Sequence, residues 1–419
     1  MLLFSIDLGI PMYSDAVERF LRYVKIHTTS NEDSETFPTT ERQFDLANLL
    51  VEEMIEIGIS DAKVDEFCIV TGTIPANIQK DLLTVAFVAH LDTSPSEPGN
   101  DVKPQIIEYK GGEITFPNNP DIKITPEENP ELESCIGQQI ITADGTTLLG
   151  ADDKAGVSAI MSMAKKLIND PSIPHGTVKL MFTPDEEVGE GTTKVDVKGF
   201  GADIAYTVDG GELGEFEIEN FNATNGNIEI KGYGTHPGKA FGKMINAVRY
   251  VDEVIALFPK DEGPETTKER EGYYHPYEIS GDENSVKIKL LIRDFDEEGL
   301  LTRMNHIEDG IKKLQKLHPE VQYSANLTRS YKNMKPILDQ HPQVIKIAED
   351  AYKSSNVEIK YIPIRGGTDG AKLSYEGLPT PNIFTGGGNF HSKKEFLSVN
   401  GLKKAVEVLI NIVKIIESK

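Results

Sequence analysis

The chain has 419 residues, 38% hydrophobic and 26% charged, an ordinary balance for a soluble globular protein with room for two domains and a large core. A net charge of −24 excludes a protein that coats nucleic acid, which needs a basic surface, and no run approaches the ~20 apolar residues of a membrane span. Two cysteines, Cys68 and Cys135, are too few for a disulfide framework; they point to a reducing cytosol and leave one disulfide open.

Residues 1–11 are apolar but lack a basic n-region and a small-residue cleavage site, so they read as an N-terminal extension, from an upstream start or a vector, and not as a signal peptide. A helix is expected over 14–27, with Val17, Phe20, Leu21 and Val24 on one face. A second starts at Thr40, where Gln43 three residues on suggests a capping box, and stops near Gly58. Residues 82–89 are apolar almost throughout, as in a parallel strand covered on both faces. The stretch 93–140 reads as long loops with short strands. A helix follows Asp153, short strands occupy 178–182 and 204–208, and the last helix covers 401–417. Between them the rhythm changes to strand 226–231, helix 240–257, strands 273–280 and 285–293, helix 296–315 and strand 320–328. That βαββαβ order is the ferredoxin-like plan. The expected architecture is therefore α/β, a mixed, mostly parallel sheet with helices on both faces. Residues 12–217 and 334–419 make the outer α/β domain, and 218–333 are an inserted α+β domain.

The chemistry sits at the strand ends. His90-Leu91-Asp92 follows strand 82–89, Thr183-Pro184-Asp185-Glu186-Glu187 follows 178–182, and Asp209 follows 204–208. His391 follows the apolar Ile383-Phe384, and Asp152 lies in the turn before a helix. Ligands of an open α/β sheet bind beyond the carboxyl ends of its strands, so these five remote segments are expected to converge. Two histidines with several carboxylates form the donor set of a two-metal hydrolase. Asp92, two residues past His90, is placed to hold the free nitrogen of that ring. Singly, each has a plainer reading: Asp152 or, better, Asp153 as a helix N-cap, Asp209 as a turn former, His391 as a loop histidine.

The motifs His90-Leu91-Asp92-Thr93-Ser94-Pro95, Gly150-Ala151-Asp152-Asp153-Lys154, Thr183-Pro184-Asp185-Glu186-Glu187, Val208-Asp209-Gly210-Gly211 and Arg365-Gly366-Gly367-Thr368-Asp369-Gly370 carry a resemblance. From about residue 12 to its end the chain resembles the peptidase T family of tripeptide aminopeptidases, within the two-zinc aminopeptidase, carboxypeptidase and deacylase superfamily. The resemblance implies that His90, Asp152 and Asp209 bind one zinc and that Asp152, Glu187 and His391 bind the other, with cobalt or manganese as alternatives. It implies Glu186 as general base, Asp92 as the residue orienting His90, a cis peptide at Asp152–Asp153, and His236 as the donor to the oxyanion. His236 would arrive from its own chain or from a partner in a dimer, and the first is expected. Arg365 is the candidate for the substrate carboxylate, against a structural bridge with Asp369, and Asn220 is a candidate polar contact. The implied protein is a cytoplasmic enzyme, monomer or homodimer, acting on tripeptides. The alternatives are a dipeptidase, carboxypeptidase or N-acyl-amino-acid deacylase on the same metals, a protein with one or only structural zinc, and a non-catalytic peptide-binding protein.

Overall fold

The computed structural model describes residues 14–418, so the extension expected at 1–11 lies outside the described residues. These residues divide into two compact units: one runs through Ile218 and resumes over Pro336–Ile362 and from Thr368, and the other comprises Glu219–Lys335 and Pro363–Gly367.

The first unit is built on an eight-stranded sheet. Its order is Lys63–Val64, Val70–Ile74, Val178–Thr183, Val85–His90, Ile204–Gly210, Asn382–Phe384, Glu215–Glu217 and Lys360–Tyr361. The four strands from Val178–Thr183 to Asn382–Phe384 are mutually parallel. Val70–Ile74 joins one side antiparallel, and Glu215–Glu217 joins the other. Every residue of Val85–His90 is buried, as its unbroken apolar run requires. Ala86, Val88, Met181 and Ala205 pack with Leu373 of helix Asp369–Tyr375. Helix Ala151–Asn169 lies against strands Val85–His90 and Ile204–Gly210, with Val399–Ser418 beside it. Parallel strands bring their carboxyl ends to one edge, so His90, Thr183, Gly210 and Phe384 end together.

A smaller antiparallel sheet of Gly387–Gly388, Phe396–Ser398, Gln139–Thr142 and Gln105–Glu108 draws in part of the 93–140 stretch. The pairing of Gly387–Gly388 with Phe396–Ser398 closes residues 389–395 into a hairpin loop.

The second unit has the element order βαββαβ. Its antiparallel sheet runs Tyr273–Gly281, Ser285–Asp294, Asn222–Lys231, Gln322–Tyr331. Ile228, Ile230, Ile288, Leu290 and Ile292 form its core with Leu300, Ile307, Ile311 and Leu314 of helix Glu297–Leu317. The helix expected over 240–257 is shorter. Gly242 takes a left-handed φ of 69°, and Asn246 caps a new turn by accepting from the Val248 N–H, so only Val251–Ile255 is α-helical. The first helix likewise ends at Tyr23.

Candidate metal centre

Asp152 is the hub of the sheet edge. Its Oδ1 lies 2.8 Å from His90 Nε2, and its Oδ2 lies 3.1 Å from His391 Nε2. Asp209 Oδ1 is 3.4 Å from the same His90 nitrogen, and Glu187 Oε2 is 2.8 Å from His391. One carboxylate thus faces two imidazole Nε2 atoms, and each of those atoms faces one further carboxylate.

The electrostatics are those of too many acids in too little water. Burial raises Asp209 to about 7 and Glu187 to about 8, and it pushes Glu186 well above the usual carboxylate range, with Asp209 adding to the rise. Burial also works against Asp152, but hydrogen bonds from His391 and His90 outweigh it and hold this carboxyl low. Hydrogen bonds to Asp152 and Glu187 raise His391 to about 11. Glu187 Oε1 is buried and has no hydrogen-bond partner. A donor set of two imidazoles and three carboxylates, with an orphaned buried oxygen, fits divalent cations, which ionise all of these acids at once and neutralise their repulsion.

The loops that carry these groups are tied to each other through main-chain N–H groups. Asp92 Oδ1 accepts from Glu186 N at 3.0 Å and its Oδ2 from Glu187 N at 3.2 Å, while Oδ1 also faces His90 Nδ1 at 3.3 Å. Asp153 accepts from His90 N at 3.2 Å and from Gly156 N at 3.1 Å. The second bond is that of a helix N-cap, and Asp152 and Asp153 both have non-helical backbone angles. The Asp152–Asp153 peptide is cis. Glu395 accepts from Leu149, Gly150 and Asp152 N–H at 2.7, 2.8 and 3.0 Å. Each loop therefore grips the next: 391–395 holds 149–152, 151–153 holds His90, and 90–92 holds 186–187.

Gln43 does not complete a capping box. Its amide donates to Asp185 Oδ1 at 2.7 Å and accepts from Asp185 N at 3.1 Å, and Thr40 Oγ1 donates to the Thr29 carbonyl. Helix Gln43–Ile57 begins without a side-chain cap. The left-handed Asp185, φ 55°, is thereby pinned at the turn that presents Glu186 and Glu187. Asp185 and Glu395 were not singled out as functional in the sequence. Their only signal was proximity to Glu186 and His391.

The other expected site residues belong to the second unit. His236 is an exposed turn residue whose Nδ1 accepts from Gly238 N at 3.1 Å. Arg365 donates to the Glu269 and Glu271 carbonyls at 2.8 and 3.1 Å and to Thr267 Oγ1 at 2.9 Å. Its guanidinium lies 5.2 Å from the Phe221 ring and 5.6 Å from that of Tyr273. Asn220 departs from expectation. It is fully buried, donates to the Phe221 and Lys332 carbonyls and accepts from Met334 N at 2.7 Å. Its amide is spent on joining two chain segments and has no free group to offer a substrate. Cys68 and Cys135 are buried and free, which removes the disulfide left open above.

The sequence model of peptidase family M20/M25/M40 matches residues 143–415. The chain belongs to this family. Among M20 relatives it is similar to a peptidase T of Caldanaerobacter subterraneus subsp. tengcongensis, 47% identical over 97% of this chain and 100% of the relative. The fold is shared with a tripeptidase from Staphylococcus aureus, at a TM-score of 0.76 and 20% identity over 97% of this chain and 99% of that one. It is also shared with a dinuclear metal-binding M20 peptidase from Bacillus subtilis, at a TM-score of 0.64 and 13% identity over 96% and 98%. The M20 family thus includes dinuclear metal peptidases, and two clusters of this chain could hold a metal ion, His90 with Asp152 and Glu187 and His90 with Asp153 and Asp209. No helix among the described residues is long and apolar enough to cross a membrane.

Proposed function

We propose that this M20 peptidase is a tripeptide aminopeptidase that works with two zinc ions in the cytosol. The observation that carries the metal reading is the Asp152 carboxylate facing His90 with one oxygen and His391 with the other. Peptidase T relatives at 45–47% identity over nearly the whole chain support the substrate class.

In this reading His90, Asp152 and Asp209 hold one ion, and Asp152, Glu187 and His391 hold the other. When bound, the pair supplies Lewis acidity that polarises the scissile carbonyl and lowers the pKa of the attacking water towards neutrality. Glu186 takes the proton of that water and delivers it to the departing amine. Asp92 sets the course of the Glu186–Glu187 backbone and orients His90. His236 donates to the developing oxyanion. Arg365 pairs with the substrate carboxylate through its planar fork, in exchange for its bonds to the 267–271 segment.

A panel of di-, tri- and tetrapeptides, free and N-acetylated, tests this with chelated and remetallated enzyme. Release of the N-terminal residue from free tripeptides, lost on chelation and restored by zinc, cobalt or manganese, is the expected result. Cleavage of N-acyl amino acids in preference to free tripeptides would move the chain to the deacylases.

A further inference from the structure

Glu395 is almost fully buried, at 1% exposure, four residues beyond His391. A carboxylate is costly to bury unless its oxygens are satisfied. Here both are satisfied, by three main-chain N–H groups that lead into helix Ala151–Asn169. A cap serving the helix alone needs only the first turn. Glu395 grips the peptide of Asp152 itself and the two residues before Ala151. Its own loop is closed locally: Ser392 Oγ donates to the Asn389 carbonyl at 2.6 Å, Lys394 N donates to Ser392 Oγ at 3.1 Å, and Glu395 N donates to the Ser392 carbonyl at 3.2 Å. His391 and Asp152, whose side chains face each other at 3.1 Å, therefore hang from opposite sides of one buried carboxylate.

We infer that Glu395 is a positioning residue that sets the separation of Asp152 and His391 and so the affinity of the metal position they share with Glu187. This rests on the two-metal reading above. A carboxamide of the same size cannot replace it. Turned one way its NH₂ meets the N–H groups of Leu149 and Gly150, and turned the other way it meets that of Asp152, so one end always sets donor against donor.

The test is zinc binding by chelator competition, with wild type measured first. Wild type that binds fewer than two zinc equivalents defeats the two-metal reading itself. If wild type binds two, Glu395→Gln is expected to bind one of them 10–100-fold more weakly and the other near wild-type affinity. Raising free zinc should then restore kcat while leaving KM unchanged, which a general loss of structure would not allow. Glu113→Gln, which removes only an exposed pair with Lys123, should keep both affinities. Equal zinc affinities in Glu395→Gln and wild type, or turnover that stays low at zinc saturation, overturn the inference and leave the metal reading intact. Where Glu395→Gln does not fold, Glu395→Asp decides: its shorter reach should also weaken one zinc, and unchanged affinity overturns the inference.

Discussion

Asp92 accepts the main-chain N–H of Glu186 at 3.0 Å with the oxygen that also faces His90, and takes that of Glu187 with its other oxygen. Asp92 thus meets the His90 ring both through this oxygen and through its own carbonyl, 3.1 Å from Nδ1, while its carboxylate fixes the backbone from which the proposed base and a ligand of the second metal position extend.

Asp92→Asn should therefore do more than loosen one histidine. Its amide puts a donor against at least one of the two N–H groups. Zinc affinity is expected to fall 10–100-fold, and turnover is expected to stay depressed when zinc is saturating. Titration with a zinc indicator alongside kcat reads both. Wild-type kcat at saturating zinc would remove the link to Glu186.

Glu186→Gln and Glu187→Ala should separate cleanly. Glu187 touches His391, whereas Glu186 is needed in the proposal only as a base. The first variant should keep two metals and lose 10²–10⁴ in turnover. The second should lose occupancy of one. Metal analysis of the purified proteins checks this, and two metals per chain in Glu187→Ala would contradict its role as a ligand.

His236→Ala should lower turnover ~10²-fold or more with both metals retained. Mixing it with Glu186→Gln protein decides the route. Recovered activity in mixed dimers means donation to a partner, and no recovery supports donation within one chain. A His236→Ala enzyme at full rate would take the residue out of catalysis altogether.

Arg365→Ala should raise KM for free tripeptides far more than for their C-terminal amides, which offer no carboxylate. The difference expected for one charge-assisted contact is roughly 1.5–3 kcal/mol. An equal effect on both substrates would assign Arg365 to holding the Thr267–Glu271 segment, where its hydrogen bonds already lie.

Asp15 offers a stability test away from the centre. Burial raises this carboxyl, but hydrogen bonds from Lys165, Arg19 and Ser162 outweigh the cost and hold it below its usual value. A depressed folded pKa stabilises the protein above the unfolded value of about 3.9 and loses that contribution as pH falls through the folded one. Asp15→Asn should cost about 1–2 kcal/mol at pH 7 after allowance for partial exposure, and the gap to wild type should begin to narrow near about pH 4 and close only below the depressed folded pKa. Denaturant melts at pH values stepped down from neutrality through that range measure it. A gap that does not narrow would mean that packing, not charge, is lost.

What the sequence determined by itself was the scaffold and the residue types of the centre. Strand Val85–His90 is buried on both faces, so it reads as an apolar run broken by a polar residue just where the sheet ends. Glu186, Glu187 and Asp209 stand out by the same rule, whereas His391 lies further on, in the loop between Gly387–Gly388 and Phe396–Ser398. The roles of the residues that hold those loops were decided only by the tertiary structure. Gln43, three residues after Thr40, has the spacing of a capping box, yet besides a 3.2 Å bond to Thr40 Oγ1 its amide both donates to and accepts from Asp185, 142 residues away. Glu395 meets the Asp152 N–H across 243 residues. Asn220, a polar residue near a domain boundary, is buried because main-chain groups of 332–334 converge on it. Hydrophobic periodicity reports which face of an element is covered. It carries no information about which remote side chain satisfies a main-chain N–H, and in this M20 peptidase the candidate metal centre is assembled from such bonds.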